Sequence, residues 1–134
     1  MKVIIDTNVF VSGIFFSGPP YKILQAWKGG QIQLVISPAI LAEYREVALR
    51  LAERYPQIDI FPFIDLVMIH AVIVRTEPFS TPVCEDPDDD MFLTCALASR
   101  VKIIVSGDKH LLKLNGYQNI SIIKPKLFVD CYLK

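Results

Sequence analysis

Short runs of aliphatic residues punctuate this chain: Val3-Ile4-Ile5, Ile32 to Ile36, Val72-Ile73-Val74, Lys102 to Val105 and Ile120 to Ile123. Each has the length of a strand. Apolar stretches of this length that do not alternate strictly with polar residues mark strands covered on both faces, as in a parallel sheet. Between them lie helical stretches. Tyr21 to Lys28 is stopped by Gly29-Gly30, and a long helix opens at Ser37-Pro38, with Ser37 as N-cap, and runs to about Arg54. Phe63 to Ala71, Asp88 to Ser99, His110 to Leu114 and Lys126 to Leu133 read as further helices, and Thr76 to Pro87 as a proline-bearing loop. Strands alternating with helices predict an α/β fold with a central parallel sheet. The length of 134 residues predicts one domain, residues 1–134, with a core of its own.

In such sheets ligands bind beyond the carboxyl ends of the strands. Two acids sit there by sequence alone: Asp6 directly after Val3-Ile4-Ile5, and Asp108 after Ile103-Ile104-Val105-Ser106-Gly107. Further along, Glu85-Asp86-Pro87-Asp88-Asp89-Asp90 packs acids against the apolar stretch Met91 to Ala98. Asp86 as N-cap, Pro87 at the first helical position, and Asp88 and Asp89 in the first turn form a helix-start signature. At 100° per residue, Asp90 shares a face with Leu93, Thr94 and Leu97. Either it faces inward and needs a partner, or it peels off into solvent on the first turn. Glu43 lies on the flank of the stripe Ile40, Leu41, Tyr44, Val47, Ala48 and Leu51. It can reach along that seam towards the sheet's end or be a solvated flank.

If these acids converge, two bare carboxylates about 4 Å apart repel by roughly 4 kcal/mol at an effective dielectric near 20. Protonation or a divalent cation relieves that. An all-oxygen ligand set suits Mg²⁺ or Mn²⁺ better than zinc. His70 and His110 have no serine or cysteine partner in a nucleophile motif, and no phosphate-cradling glycine loop is present.

Fourteen basic residues balance fourteen acidic ones, so net charge does not point to nucleic acid, and a local basic patch stays open. Three cysteines, Cys84, Cys95 and Cys131, show no CxxC pairing, which favours a reducing compartment. No run has the length of a membrane span and no signal core follows Met1. The expectation is a cytoplasmic protein.

Four motifs in order resemble a PIN-domain protein: Asp6-Thr7-Asn8 closing the first strand; Glu43-Tyr44 in the helix after Ser37-Pro38; Asp86-Pro87-Asp88-Asp89-Asp90 before Phe92-Leu93; and Ser106-Gly107-Asp108 before Leu111-Leu112. The resemblance spans essentially the whole chain. It is closest to the stand-alone prokaryotic toxin components of toxin–antitoxin systems, relatives of the VapC-type ribonucleases. It implies a three-layer α/β/α sandwich and hydrolysis of RNA phosphodiesters with one or two Mg²⁺ or Mn²⁺ ions. The family's three nearly constant acids fall on Asp6, Glu43 and Asp90, and its variable fourth on Asp108. Asp6 and Asp90 would be direct ligands, Glu43 would act through water or position the nucleophile, and Asp108 would hold a second ion or act through water.

Thr7, Asn8 and Ser106 match polar positions that shape the same site, and Asp88 is the next candidate should the register at Asp90 differ. Arg45, Arg50, Lys109 and Lys113 could flank an RNA groove, with Lys22 and Lys28 at another edge, or be solvated surface. Phe15 to Pro20 reads as a hydrophobic turn, either core or a contact for an antitoxin or a second copy in a homodimer. Two rivals remain. A haloacid-dehalogenase-like phosphatase would use Asp6 as nucleophile, but wants a second acid where Asn8 stands. The other is a PIN-fold domain that binds RNA or a partner without cutting.

Overall fold

A computed structural model describes residues 1–133. Five strands, β1 (Lys2–Ile5), β2 (Gln33–Ile36), β3 (Val72–Ile73), β4 (Ile103–Val105) and β5 (Ser121–Ile123), form one sheet in the order β3-β2-β1-β4-β5. Every neighbouring pair is parallel, with Val3 opposite Leu34 and Ile4 opposite Ile104. The helices are α1 (Thr7–Phe15), α2 (Pro19–Lys28), α3 (Pro38–Ala52), α4 (Phe61–His70), α5 (Asp90–Ser99), α6 (Lys109–Leu112) and α7 (Pro125–Tyr132). Val3, Ile4 and Ile5 are each 0% exposed. Because successive strand residues point to opposite faces, helices must cover both, giving the three-layer α/β/α sandwich. Among the described residues, no helix is long and apolar enough to cross a membrane.

The chain steps from β1 to β2 to β3 in one direction, then crosses to build β4 and β5 on the other side of β1. The order therefore reverses between β1 and β4. A crevice opens at such a switch point beyond the carboxyl ends of the two strands.

Local rules explain most of the element starts. The Ser37 side chain accepts a hydrogen bond from the Ile40 N–H at 3.3 Å, and Pro38 occupies the first turn of α3. The expected helix from Asp88 is divided: Pro87–Asp89 form a 3₁₀ turn, and α5 starts at Asp90. Asp86 caps this turn, accepting from the Asp88 N–H at 3.0 Å. The largest departure is α1, which occupies the stretch directly after Asp6. The expected hydrophobic turn at Phe15 to Pro20 is instead the end of α1 and the start of α2, with Phe15 buried and Phe16 exposed.

Candidate active site

Asp6 ends β1 and stands at the N-cap of α1. Its N–H donates to the Val105 carbonyl at 2.9 Å, which ties the end of β1 to the end of β4. Ser106 follows β4 directly, and its N–H donates to the Ile123 carbonyl at 3.0 Å. The buried Ser106 hydroxyl then joins two acids. It donates to Asp6 Oδ2 at 2.7 Å and accepts from the Asp108 N–H at 3.0 Å. A serine hydroxyl has one proton. With the Asp108 amide on a lone pair, that proton goes to Asp6, so Ser106 fixes the Asp6 carboxyl while holding the backbone of Asp108. Asp108 in turn caps α6, accepting from the His110 N–H at 2.8 Å.

Glu43 reaches the same end through its neighbour. Tyr44 is fully buried, stacks on Phe10 at 4.1 Å between ring centroids, and donates its hydroxyl to the Ile5 carbonyl. That bond anchors the second turn of α3 to the last residue of β1, one residue from Asp6. Glu43 is thereby brought to Thr7. The Thr7 hydroxyl lies near the Glu43 carboxyl and lowers its proton affinity, but the pair lacks the geometry of a full hydrogen bond. Thr7 Oγ1 is left buried and unpartnered. A buried polar atom of this kind calls for a water or an ion.

The acid run contributes Asp89. Its carboxyl is pushed up to about 7, first by burial, then by the negative charges of Asp108, Asp6 and Asp86, and by a carboxyl-to-carboxyl contact with Asp108. Asp6 is raised as well, by burial and by Asp108, against the Ser106 hydrogen bond and the nearby N–H groups of Thr7 and Asn8. Glu43 is raised by burial and, beyond the Thr7 effect, by Asp6, Asp88 and Glu46. Asp89 thus lies within electrostatic reach of Asp108 and Asp6, and Glu43 within reach of Asp6 and Asp88.

Asp90 turns elsewhere. Its carboxylate accepts the Val83 N–H at 3.1 and 3.2 Å and the Cys84 N–H at 2.7 Å, fastening the preceding loop. Asp90, Leu93, Thr94 and Leu97 all lie within α5, where 100° per residue holds, and the 3₁₀ turn at Pro87–Asp89 precedes them, so it alters how Asp88 and Asp89 are placed relative to that face. Asp88 is exposed at the rim. The helix-start signature at Asp86-Pro87 marks where the turn begins, and both an α and a 3₁₀ first turn accommodate it.

Among the described residues, no three His, Cys, Asp or Glu side chains stand together in a group that could hold a metal ion. The donors still fit a hard divalent cation. They are all oxygens, Asp6 and Asp89 carry proton affinity raised first by burial and then by neighbouring carboxylates, and Thr7 Oγ1 awaits a partner. Mg²⁺ keeps several waters and needs few carboxylates, so an open set is compatible with it.

The basic residues are less concentrated than the RNA-groove expectation required. Arg50 pairs with Glu46 at 3.2 Å, and Lys113 with Glu85 at 3.2 Å. His110 Nδ1 also meets Glu85, at 2.6 Å, so this glutamate pins the loop to α6. Lys28 sits over the Phe63 ring at 5.3 Å. Arg45 lines a trough between α3 and α4, and Lys109 is exposed at the start of α6.

The sequence profile described as PIN domain matches residues 2–110, a span that includes Asp6, Glu43, Asp89, Asp90 and Asp108. The chain is similar to the uncharacterized protein MJ1680 of Methanocaldococcus jannaschii, with 31% identity over 145 aligned residues covering 100% of this chain and 93% of that protein. PIN domains are generally nucleases that use divalent metal ions. With acids gathered at the β1/β4 switch point of a parallel sheet and the profile match spanning them, the chain belongs to the PIN-domain family.

Proposed function

We propose that this protein is a ribonuclease that hydrolyses RNA phosphodiester bonds with Mg²⁺ or Mn²⁺, acting as the toxin of a toxin–antitoxin pair in the cytoplasm. The observation that carries the reading is the pairing of Asp6 and Asp108 through Ser106 at the ends of β1 and β4, with Asp89 near enough to feel both charges. A bound divalent ion would polarise the phosphoryl oxygen and make a water nucleophilic at neutral pH.

The chain's own groups then have separate roles. Asp6 and Asp89 would hold the cation, with Asp108 supporting them or a second ion. Ser106 keeps Asp6 aimed by donating to Oδ2. Glu43, beside the unpartnered Thr7 hydroxyl, accepts the proton of the attacking water. Asn8 and Asp88 border the opening, and the exposed Lys109 meets the RNA backbone. Asp90 acts at one remove, as the anchor of the loop before α5.

An apolar trough between α3 and α4, where Leu49 is 41% and Met68 58% exposed, favours a protein partner, either an antitoxin segment or a second copy. Light scattering of the purified protein gives its mass directly and separates the two.

The test of the activity is incubation of purified protein with labelled single-stranded and structured RNAs in Mg²⁺, Mn²⁺ or EDTA, beside Asp6→Asn. Cleavage is expected with either ion and lost in EDTA and in the variant. Cleavage that persists in EDTA contradicts the mechanism. Release of phosphate from small phosphomonoesters with RNA left intact would revive the phosphatase reading. RNA binding without cleavage in any metal would favour a non-cutting domain.

A further inference from the structure

A second cavity adjoins the acids, and nothing in the hydrolytic chemistry requires it. It has a volume of about 500 Å³ and lies between the loop at 76–87 and the start of α5. Its walls are the side chains of Pro78, Phe79, Pro82 and Met91, with Thr76 and Thr94 supplying hydroxyls. Asp88 and Asp90 line it as well, and a neighbouring trough that shares Ala39, Asp88 and Met91 with it reaches Glu43. The cavity thus connects along α3 to Glu43, the residue that would face the attacking water.

The chemistry of the walls selects an occupant. Carboxylates on the border repel a phosphate, so the cavity does not take the RNA backbone. A volume in the range of small-ligand sites, an aromatic ring, and hydroxyl and carboxylate acceptors among apolar walls suit a flat, uncharged group with hydrogen-bond donors on its edge. Unpaired bases are read in this way, by stacking on aromatic side chains and by hydrogen bonds along their edges. Thr94 Oγ1 already donates to the Met91 carbonyl at 3.1 Å, so towards the cavity it can act only as an acceptor. The Asp88 carboxylate forms no ion pair among the described residues and also only accepts. Acceptors on the wall match a base with an exocyclic amino group.

Resting on the ribonuclease reading, we propose that this cavity binds one unpaired, amino-bearing base next to the scissile phosphate, stacked on Phe79, and so sets a base preference beside the cut. The three hydrogen bonds from the Val83 and Cys84 N–H groups to Asp90 hold the loop that roofs the cavity. The ion pairs of Glu85 with His110 and Lys113 hold the same loop from the other side.

Two measurements on the full-length protein test this. The first sequences the cleavage products of an RNA pool randomised around the cut. A preference for amino-bearing bases at one position beside the cut is expected in the wild type. Phe79→Tyr, which keeps an aromatic face, should retain it. Phe79→Leu, which keeps bulk but not the face, should flatten it and raise KM by about 5- to 100-fold. Duplex RNA should be cut at least about 10-fold more slowly, because a paired base must first leave its stack.

The second measurement needs no catalysis. Short RNAs carrying 2-aminopurine at successive positions are titrated with protein in Ca²⁺. Emission should be quenched at a single position, for the wild type and Phe79→Tyr but not for Phe79→Leu. Quenching without cleavage would keep the pocket and remove the ribonuclease reading. Cleavage with no base preference and no position-specific quenching would overturn the pocket and leave that reading standing. Equal behaviour of the Tyr and Leu variants would also overturn it.

Discussion

Asp89 is the most strongly shifted carboxyl among the described residues, and its consequence for stability has a definite sign. Its folded-state value of about 7 lies above the ordinary 3.8. Between those values the folded protein holds a proton that the unfolded chain has released, so raising the pH favours unfolding across that window. Asp6 is shifted in the same direction and adds to the slope. In EDTA, the thermal midpoint should therefore fall as pH rises from about 5 to 8, and Asp89→Asn should flatten the fall. Mn²⁺ should raise the midpoint more at pH 8 than at pH 5, because the ligands must lose their protons to bind it. Asp90 has a different signature, one of loop attachment. Asp90→Ala should speed amide exchange at Val83 and Cys84 while leaving exchange across β1 and β4 unchanged, as deuterium uptake would record. The acidic run was legible as a helix start, yet which of its acids would face Asp6 was not. That choice depends on whether the first turn winds with 3.0 or 3.6 residues, and the residue types serve both.

Among the elements, α3 was readable because its start is encoded locally, by Ser37 and Pro38. The helix α1 was not. Its sequence Thr7-Asn8-Val9-Phe10-Val11-Ser12-Gly13-Ile14-Phe15 combines β-branched, aromatic and glycine residues of modest helix propensity. It is also buried nearly all round, which erases the polar face that periodicity needs. Tertiary burial, with Asp6 at the N-cap, decides it. Gly13 shows what this burial demands. A Cβ there would come within 2.7 Å of both the Leu24 side chain and the Pro20 carbonyl, so α1 and α2 touch where Gly13 has no side chain. Gly13→Ala should destabilise the protein by about 1–3 kcal/mol despite the better helix propensity of alanine, measured as a lower denaturant midpoint at unchanged slope. A gain in stability would mean that the two helices separate readily.

For the molecule as a whole, the parallel sheet was legible from its short apolar runs, and the position of Asp6 and Asp108 at strand ends followed from it. The strand order was not, because adjacency of β1 and β4 joins residues about a hundred positions apart and leaves no local mark. Yet this adjacency makes the site: it lets Ser106 bond Asp6 and brings Asp108 and Asp89 to the same crevice. The basic groove expected from Arg45, Lys109 and Lys113 was less legible, since partners such as Glu85 come from distant loops. The central claim is that Asp89, with Asp6, holds the catalytic ion while Asp90 holds the loop. The most direct measurement is the single-turnover cleavage rate of one single-stranded RNA in Mg²⁺ by wild type, Asp89→Asn and Asp90→Asn. Loss of a direct ligand should slow Asp89→Asn by about 100-fold or more, whereas Asp90→Asn, which keeps an acceptor oxygen for the loop, should stay within about 10-fold of wild type. The reverse order, with Asp90→Asn dead and Asp89→Asn active, would contradict the assignment.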